Sequence, residues 1–505
     1  MIEAAVGNLV AYGVAHGLIA PEDRVYVRNR IIEVLGLEAY DPTAETADGE
    51  APVDDLLAPL LDDAAARGLI DPDTVTQRDL WDTAIMGVFV PRPSAVTERF
   101  WILHAHDPVA ATDYIHTLSV AGNYVRMGRT RRDISWQQQT RYGLMDITIN
   151  LSKPEKDPRD IAKAASAPKV SGPQYPANLL DRDNEGYPGR TDYPARQNLR
   201  LVPMDLGGER WFLQYSPYQY YPEHAIVLSE AVRPMRIDGA TLGRLADFVD
   251  LLPHYFVGAN ADLPIVGGSI LSQDHFQGGA YEFALDRAAV SAAWDLDGLA
   301  LEVLDWPLSV LRLRGPRSEV LARATDLLDV WRDYSDPDVG VVARTADTPH
   351  NTITPIARRR GHDLQLALCL RNNRTSAEHP DGIYHPHAEI HPVKRENIGL
   401  IEAMGLAVLP GRLASELDDV ARALSSGAEL PETLAAHQPM LDELRRVHPT
   451  GLGPRQALAA AREAAGSFFV RGLEHCGVYG ADPVAGCRRL LGSLGWIPEY
   501  PAPGD

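Results

Sequence analysis

The sequence predicts an α+β protein, with a largely antiparallel sheet core flanked by helical N-terminal and C-terminal regions. Three observations predict it. Before about Asn123 and again after Pro410, apolar residues recur at three-to-four spacing, the period of amphipathic helices. Between those limits the chain breaks into short strand-like runs. In one of these Leu364, Leu366, Leu368 and Leu370 alternate strictly with other residues, as in a half-buried antiparallel strand.

Taken in order, VYVRNRIIEVLGL (Val25–Leu37) and VDDLLAPLLDDAAARGLI (Val53–Ile70) read as helices, and DPTAETADGEAP (Asp41–Pro52) as the linker between them. From about Ile134 the strand-like runs are MDITINL, RWFLQYS, AIVLSE, AYEFAL, LEVLDWPLSVLRLRG and DLQLALCLR. One helix, about Thr241 to Phe256, separates two of them and sets Leu242, Leu245, Phe248, Val249 and Leu252 on one face. LASELDDVARALSSG, TLAAHQPMLDELRRVH and the alanine-rich stretch from Pro454 to Ser467 return to the helical period. The expected regions are therefore a helical 1–130, a catalytic α+β core over 131–410 and a helical 411–505.

The 505 residues are 45% hydrophobic and 23% charged, ordinary globular values for a chain that buries a sizeable core. A formal charge of −21 argues against a partner with a phosphate backbone, so no nucleic acid is expected. No apolar run is long enough for a membrane span, and MIEAAVGNLVAYGVAHG lacks the basic start of a signal peptide. Cys369, Cys476 and Cys487 are too few and too scattered for a disulfide framework. A cytoplasmic protein without a membrane partner is expected. Positive charge is concentrated at Arg126, Arg129, Arg131 and Arg132 and at Arg358, Arg359 and Arg360, and each cluster reads either as an anion site or as a solvated face balancing acidic neighbours.

Two stretches concentrate chemistry. ADLPIVGGSILSQDHFQGGAYEF (Ala261–Phe283) sets His275 among Gly267, Gly268, Ser269, Ser272, Gln277, Gly278 and Gly279. Neutral imidazole is nucleophilic near pH 7, and glycines let a phosphate approach backbone N–H groups. A loop histidine bonded to its own turn is the plain alternative. In the second stretch His385, His387, Glu389 and His391 stand at every second position, so a strand through them would turn all four to one face. That face would suit a metal or a phosphate, or else a polar edge, which Pro386 and Pro392 favour. Lys394 and Arg395 follow and would suit phosphate oxygens.

A third group, NEGYPGRTDYPARQNLR with QYSPYQYYPEHAIVLSE, is rich in Asn, Arg and Tyr. Together with YVRNRIIEVLGL, LPIVGGSILSQDHFQGG, TPHNTITPIARRR, RNNRTSAEHPDGIYHPHAEIHPVKRENIGLIE and MGLAVLPGRL, these blocks resemble the longer bacterial branch of the UDP-glucose–hexose-1-phosphate uridylyltransferases over nearly the whole chain. The resemblance implies a histidine-triad-like fold, often homodimeric, with UDP-glucose, UDP-galactose and hexose 1-phosphates as partners and no required cofactor. It implies His275 as the residue that attacks the α-phosphorus and Gln277 as the amide that holds the transferring phosphoryl group. His385 and His387 match the family's later histidine pair, and a serine, Ser269 or Ser272, lies where relatives contact phosphate. Two alternatives stand beside this: a related transferase or phosphorylase using another sugar or base, and a silent nucleotide-sugar-binding protein.

Relatives that carry zinc use a Cys-x-x-Cys pair and two histidines, which match Asn178, Asp181, His224 and Gln273 here. Three of these four have lost a usual zinc ligand, so no zinc is expected there, and a hydrogen-bonded polar cluster is expected instead. A structural metal is left open at His385, His387, Glu389 and His391.

Overall fold

The computed structural model describes residues 2–152, 157, 159–160, 163, 174–268, 270–480 and 482–497. The chain divides into two compact units, Met1–Arg132 with Ser152–Arg233, and Asp133–Leu151 with Pro234–Asp505. The regions expected from composition run across this division. Among the described residues no helix is long and apolar enough to cross a membrane.

In chain order the strands begin with a hairpin of the second unit, β1 (Ile134–Thr140) and β2 (Gly143–Ile149). The first unit then supplies β3 (Val202–Leu206), β4 (Glu209–Tyr215) and β5 (Ala225–Ser229), an antiparallel meander. Its helices include Ile2–Ala15, Arg24–Leu35, Val53–Ala66, Val75–Gly87, Pro93–His104 and Pro108–Ala121. Local chemistry sets their ends. Thr74 accepts from the Gln77 N–H at 3.2 Å to start one, Asp107 accepts from the Val109 N–H at 2.9 Å before Pro108 to start another, and Gly36 closes a third at φ 59°.

The second unit carries β6 (Phe256–Gly258), β7 (His275–Gly279), β8 (Val290–Leu296), β9 (Leu299–Leu304), β10 (Val310–Gly315), β11 (Arg344–Thr345), β12 (Thr348–Pro349), β13 (Asn351–Arg360), β14 (Asp363–Asn372) and β15 (Leu406–Leu409). Seven of these form an antiparallel run in the order β7, β6, β13, β14, β10, β9, β8. β15 joins the β1–β2 hairpin in parallel with β2. Helices Gly239–Leu251 and Arg317–Asp333 pack on β13, and the Trp331 indole N–H donates to the Thr352 carbonyl at 2.8 Å. The segment from Ile398 to Leu400 lies against the same sheet, since the Arg371 guanidinium donates to the Ile398 carbonyl at 3.0 Å and Leu400 abuts Gly258.

The fold class is α+β, as expected, with four differences of detail. β14 is buried on both faces rather than one, because it is the fourth of seven strands and covered on each side. LEVLDWPLSVLRLRG divides into β9 and β10, since Pro307 brings no N–H to a ladder. The helix expected to reach Phe256 stops at Leu251, just before Pro253, and Phe256 begins β6. AYEFAL forms no strand: the Asp286 carboxylate accepts the Phe283 N–H at 2.9 Å and starts a short turn over Ala284–Arg287. Its aromatic spacing comes from packing, with Phe283 edge-on to Phe256 at 5.1 Å and to Tyr281 at 4.8 Å.

Candidate active site

His275 opens β7, the strand that ends the glycine-rich loop. The ring is 5% exposed, and its Nδ1–H donates to the Gln273 carbonyl two residues back at 2.8 Å. That bond fixes the tautomer and leaves a lone pair on Nε2, which takes no protein partner among the described residues. Burial pushes the imidazole pKa below its ordinary value, opposed in part by the Gln273 bond. The ring is thus held neutral and nucleophilic.

Strand geometry does the next step. Residues two apart share a face, so Gln277 stands on the side of His275 while Phe276 is buried on the other. Gly278 has a packing reason to be glycine: a Cβ there would lie 2.6 Å from the Phe256 carbonyl of β6. Ahead of the strand, Gly267 forms a bridge with Ala261, and a Cβ would lie 2.4 Å from the Ala261 carbonyl. Ser272 is exposed on the following turn, and Ser269 lies outside the described residues.

The second motif is rearranged. His385 to His391 form no strand; the chain makes a short helical turn at Ala388–Ile390 between Pro386 and Pro392, so the four side chains do not share a face. His385 is buried with Nε2 3.1 Å from Asn397 Oδ1 and Nδ1 3.1 Å from the Pro386 carbonyl, and the His391 Nε2–H donates to that carbonyl at 2.9 Å. His387 instead stacks between His379 at 4.0 Å and His475 at 4.2 Å. Ligand atoms of His387, Glu389 and His475 lie within 4.8 Å of one another, a two-histidine, one-carboxylate set that suits a divalent transition metal. His475 comes from the helix Pro454–His475, a partner no local motif announces.

The basic residues are mostly spoken for. Lys394 is buried 2.5 Å from Glu402 and 3.5 Å from Glu396. Burial works against its charge, yet the two carboxylates prevail and hold its pKa above the ordinary value. Arg395 is exposed. Arg126 pairs with Asp82 and Arg129 with Asp79. Arg358 pairs with Asp286 at 2.9 Å, Arg359 with Asp250 at 3.4 Å and Arg360 with Glu282 at 3.3 Å. These arginines balance acidic neighbours, the plainer of the two sequence readings.

Of the positions matched to zinc ligands, Asn178, Asp181 and His224 belong to the first unit and Gln273 to the second. Asp181 accepts the N–H groups of Ala177 at 2.8 Å and Asp183 at 3.1 Å within its own turn. Asn178 Oδ1 accepts the Leu180 N–H at 2.8 Å, and the His224 Nδ1–H donates to the Tyr218 carbonyl at 3.2 Å.

Comparison with known proteins gives this geometry its context. Residues 17–234 match the galactose-1-phosphate uridyl transferase N-terminal domain and residues 249–440 its C-terminal domain. The chain is 45% identical to the galactose-1-phosphate uridylyltransferase of Bacillus subtilis, covering 97% of each chain. It is 42% identical to that of Clostridium acetobutylicum, covering 95% of this chain and 97% of the relative. Likeness to the crystal structure of yeast Ap4A phosphorylase Apa2 is slight, with a TM-score of 0.34 and 13% identity over 60% of this chain and 91% of that one. A transferase with both family domains in order, the chain belongs to the galactose-1-phosphate uridylyltransferases.

Proposed function

We propose that the protein moves a uridylyl group between UDP-glucose and galactose 1-phosphate by double displacement on His275. The observation that carries this is the His275–Gln273 bond, which presents a neutral Nε2 lone pair from a buried ring. In the first half-reaction Nε2 attacks the α-phosphorus, an N–P bond forms, and the P–O bond to glucose 1-phosphate breaks. In the second, a phosphate oxygen of galactose 1-phosphate attacks, the N–P bond breaks, UDP-galactose leaves and the imidazole returns to its starting state. The Nδ1–H bond persists throughout and disperses charge on the uridylylated ring. Gln277 holds a phosphoryl oxygen with a neutral amide, and backbone N–H groups of Gly267, Gly268 and Gly279 with the Ser272 hydroxyl take the remaining phosphate charge.

Protein exposed to UDP-glucose labelled in the α-phosphate should keep the label after denaturation, stable in base and lost in acid. His275→Ala should retain none. Undiminished labelling or turnover in that variant would overturn the mechanism.

The same reading places a structural metal on His387, Glu389 and His475 rather than on the four alternate positions, because those three converge. It assigns none to Asn178, Asp181, His224 and Gln273. Elemental analysis of purified protein should find about one divalent metal per chain, and His475→Ala should lower both content and melting temperature. Metal-free protein with undiminished stability would remove the site.

A further inference from the structure

Gly267 and Gly268 stand next to each other in the loop before β7. A Cβ on Gly268 would lie 2.5 Å from Asn260 Nδ2, as one on Gly267 would meet Ala261, so close packing keeps both positions bare. The peptide between them is flanked by two residues with almost no steric preference, and turning it over costs little in local terms. That matters because a trans peptide is planar: the Gly267 C=O and the Gly268 N–H point in opposite directions. Whatever holds the carbonyl therefore aims the N–H. Among the described residues, the Gly268 N–H donates to no protein acceptor.

What holds the carbonyl is Asn397, whose Nδ2 donates to Gly267 O at 3.3 Å. With Nδ2 so placed, Oδ1 faces His385 and accepts its Nε2–H at 3.1 Å, which fixes the amide against rotation. The remaining contacts press the same loop into one shape. Gly382, at φ 127°, brings the turn before His385 so close that a Cβ there would lie 2.9 Å from both His385 Cβ and Ile265 Cγ2. Ile265 sits at φ 74°, a conformation that a β-branched residue keeps only when its surroundings impose it. On the far side, Asn260 Oδ1 accepts the Leu400 N–H at 2.9 Å and ties the loop to the segment after Asn397.

We propose that Asn397, oriented by His385, is a positioning residue that locks the Gly267–Gly268 peptide with its N–H turned toward the substrate phosphate. The inference rests on the reading that this loop receives the phosphates of a nucleotide sugar. In the locked orientation the loop offers a donor to an anion; turned over, it offers a carbonyl oxygen that repels one. It also gives His385 a task its ring can perform where it stands, with both nitrogens already facing oxygens.

Asn397 is exposed, so its substitution should leave folding intact. Asn397→Asp keeps the size and the acceptor for His385 but loses the donor; Asn397→Ala loses both. Each should lower kcat/KM for UDP-glucose roughly 10-fold, mainly through kcat, with a melting temperature close to that of the parent. His385→Ala/Asn397→Ala should be no slower than the worse of its single variants, since the pair acts as one device. In the free protein, amide hydrogen exchange over residues 262–268 should speed up in Asn397→Ala while β13 is unchanged. Full kcat/KM in both Asn397 variants overturns the proposal. So does a loss of rate with unchanged exchange, which would mean that Asn397 touches the substrate directly. If the parent moved no uridylyl group, the proposed function would fail, and faster exchange in Asn397→Ala would still establish the lock.

Discussion

At the scale of single residues, the nucleophile's readiness depends on a main-chain atom. The Gln273 carbonyl sets the His275 tautomer, and every residue type that could stand at 273 brings the same carbonyl, so the bond is indifferent to the side chain the sequence shows there. Because burial lowers the His275 pKa below 6.5, the neutral ring persists as the solution turns mildly acidic, and protonation removes the lone pair only below that value. The uridylylation rate should therefore stay level as pH falls through 6.5 and decline only beneath it, read as kcat/KM for UDP-glucose against pH. A midpoint above 6.5 would show the ring to be exposed or charge-paired. His275 and Gln277 were legible from residue type and spacing alone; the Gln273 carbonyl was not, since every residue has one. His475 was hidden for another reason: it lies 88 positions from His387, and only folding brings the rings together.

At the scale of elements, hydrophobic alternation located β2, β4, β5, β9, β10 and β14 because each buries a regular set of side chains. It placed no strand at β7, whose sequence HFQGG offers too few apolar residues to alternate, and it misplaced one at AYEFAL, where aromatic packing imitates the pattern. The alternate histidines misled for a related reason, since a period of two means a strand only where a neighbouring strand is free to pair. Glycine composition marked the loop and strand together without separating their causes. The structure separates them: Gly278 serves the close approach of β7 to β6. Gly278→Ala should cost about 1–3 kcal/mol by urea denaturation, because the facing atom is a backbone carbonyl that cannot rotate away. A neutral result would mean that the two strands separate more readily than their register suggests.

At the scale of the whole molecule, the composition pointed to a protein without disulfides, and all three cysteines are buried and free. Burial pushes the thiols of Cys369, Cys476 and Cys487 up to about 12, so at pH 8 almost none is thiolate. An aromatic disulfide reagent should therefore detect well under one thiol per chain in the native protein and three after guanidinium denaturation. Rapid native reaction would place at least one of them nearer the surface. The same silence has a practical side: a single cysteine introduced at an exposed position such as Tyr26 would be the dominant reactive thiol on the folded chain. A fluorophore could be attached there without first replacing the native cysteines, and its emission would report on the enzyme with its interior left as it is.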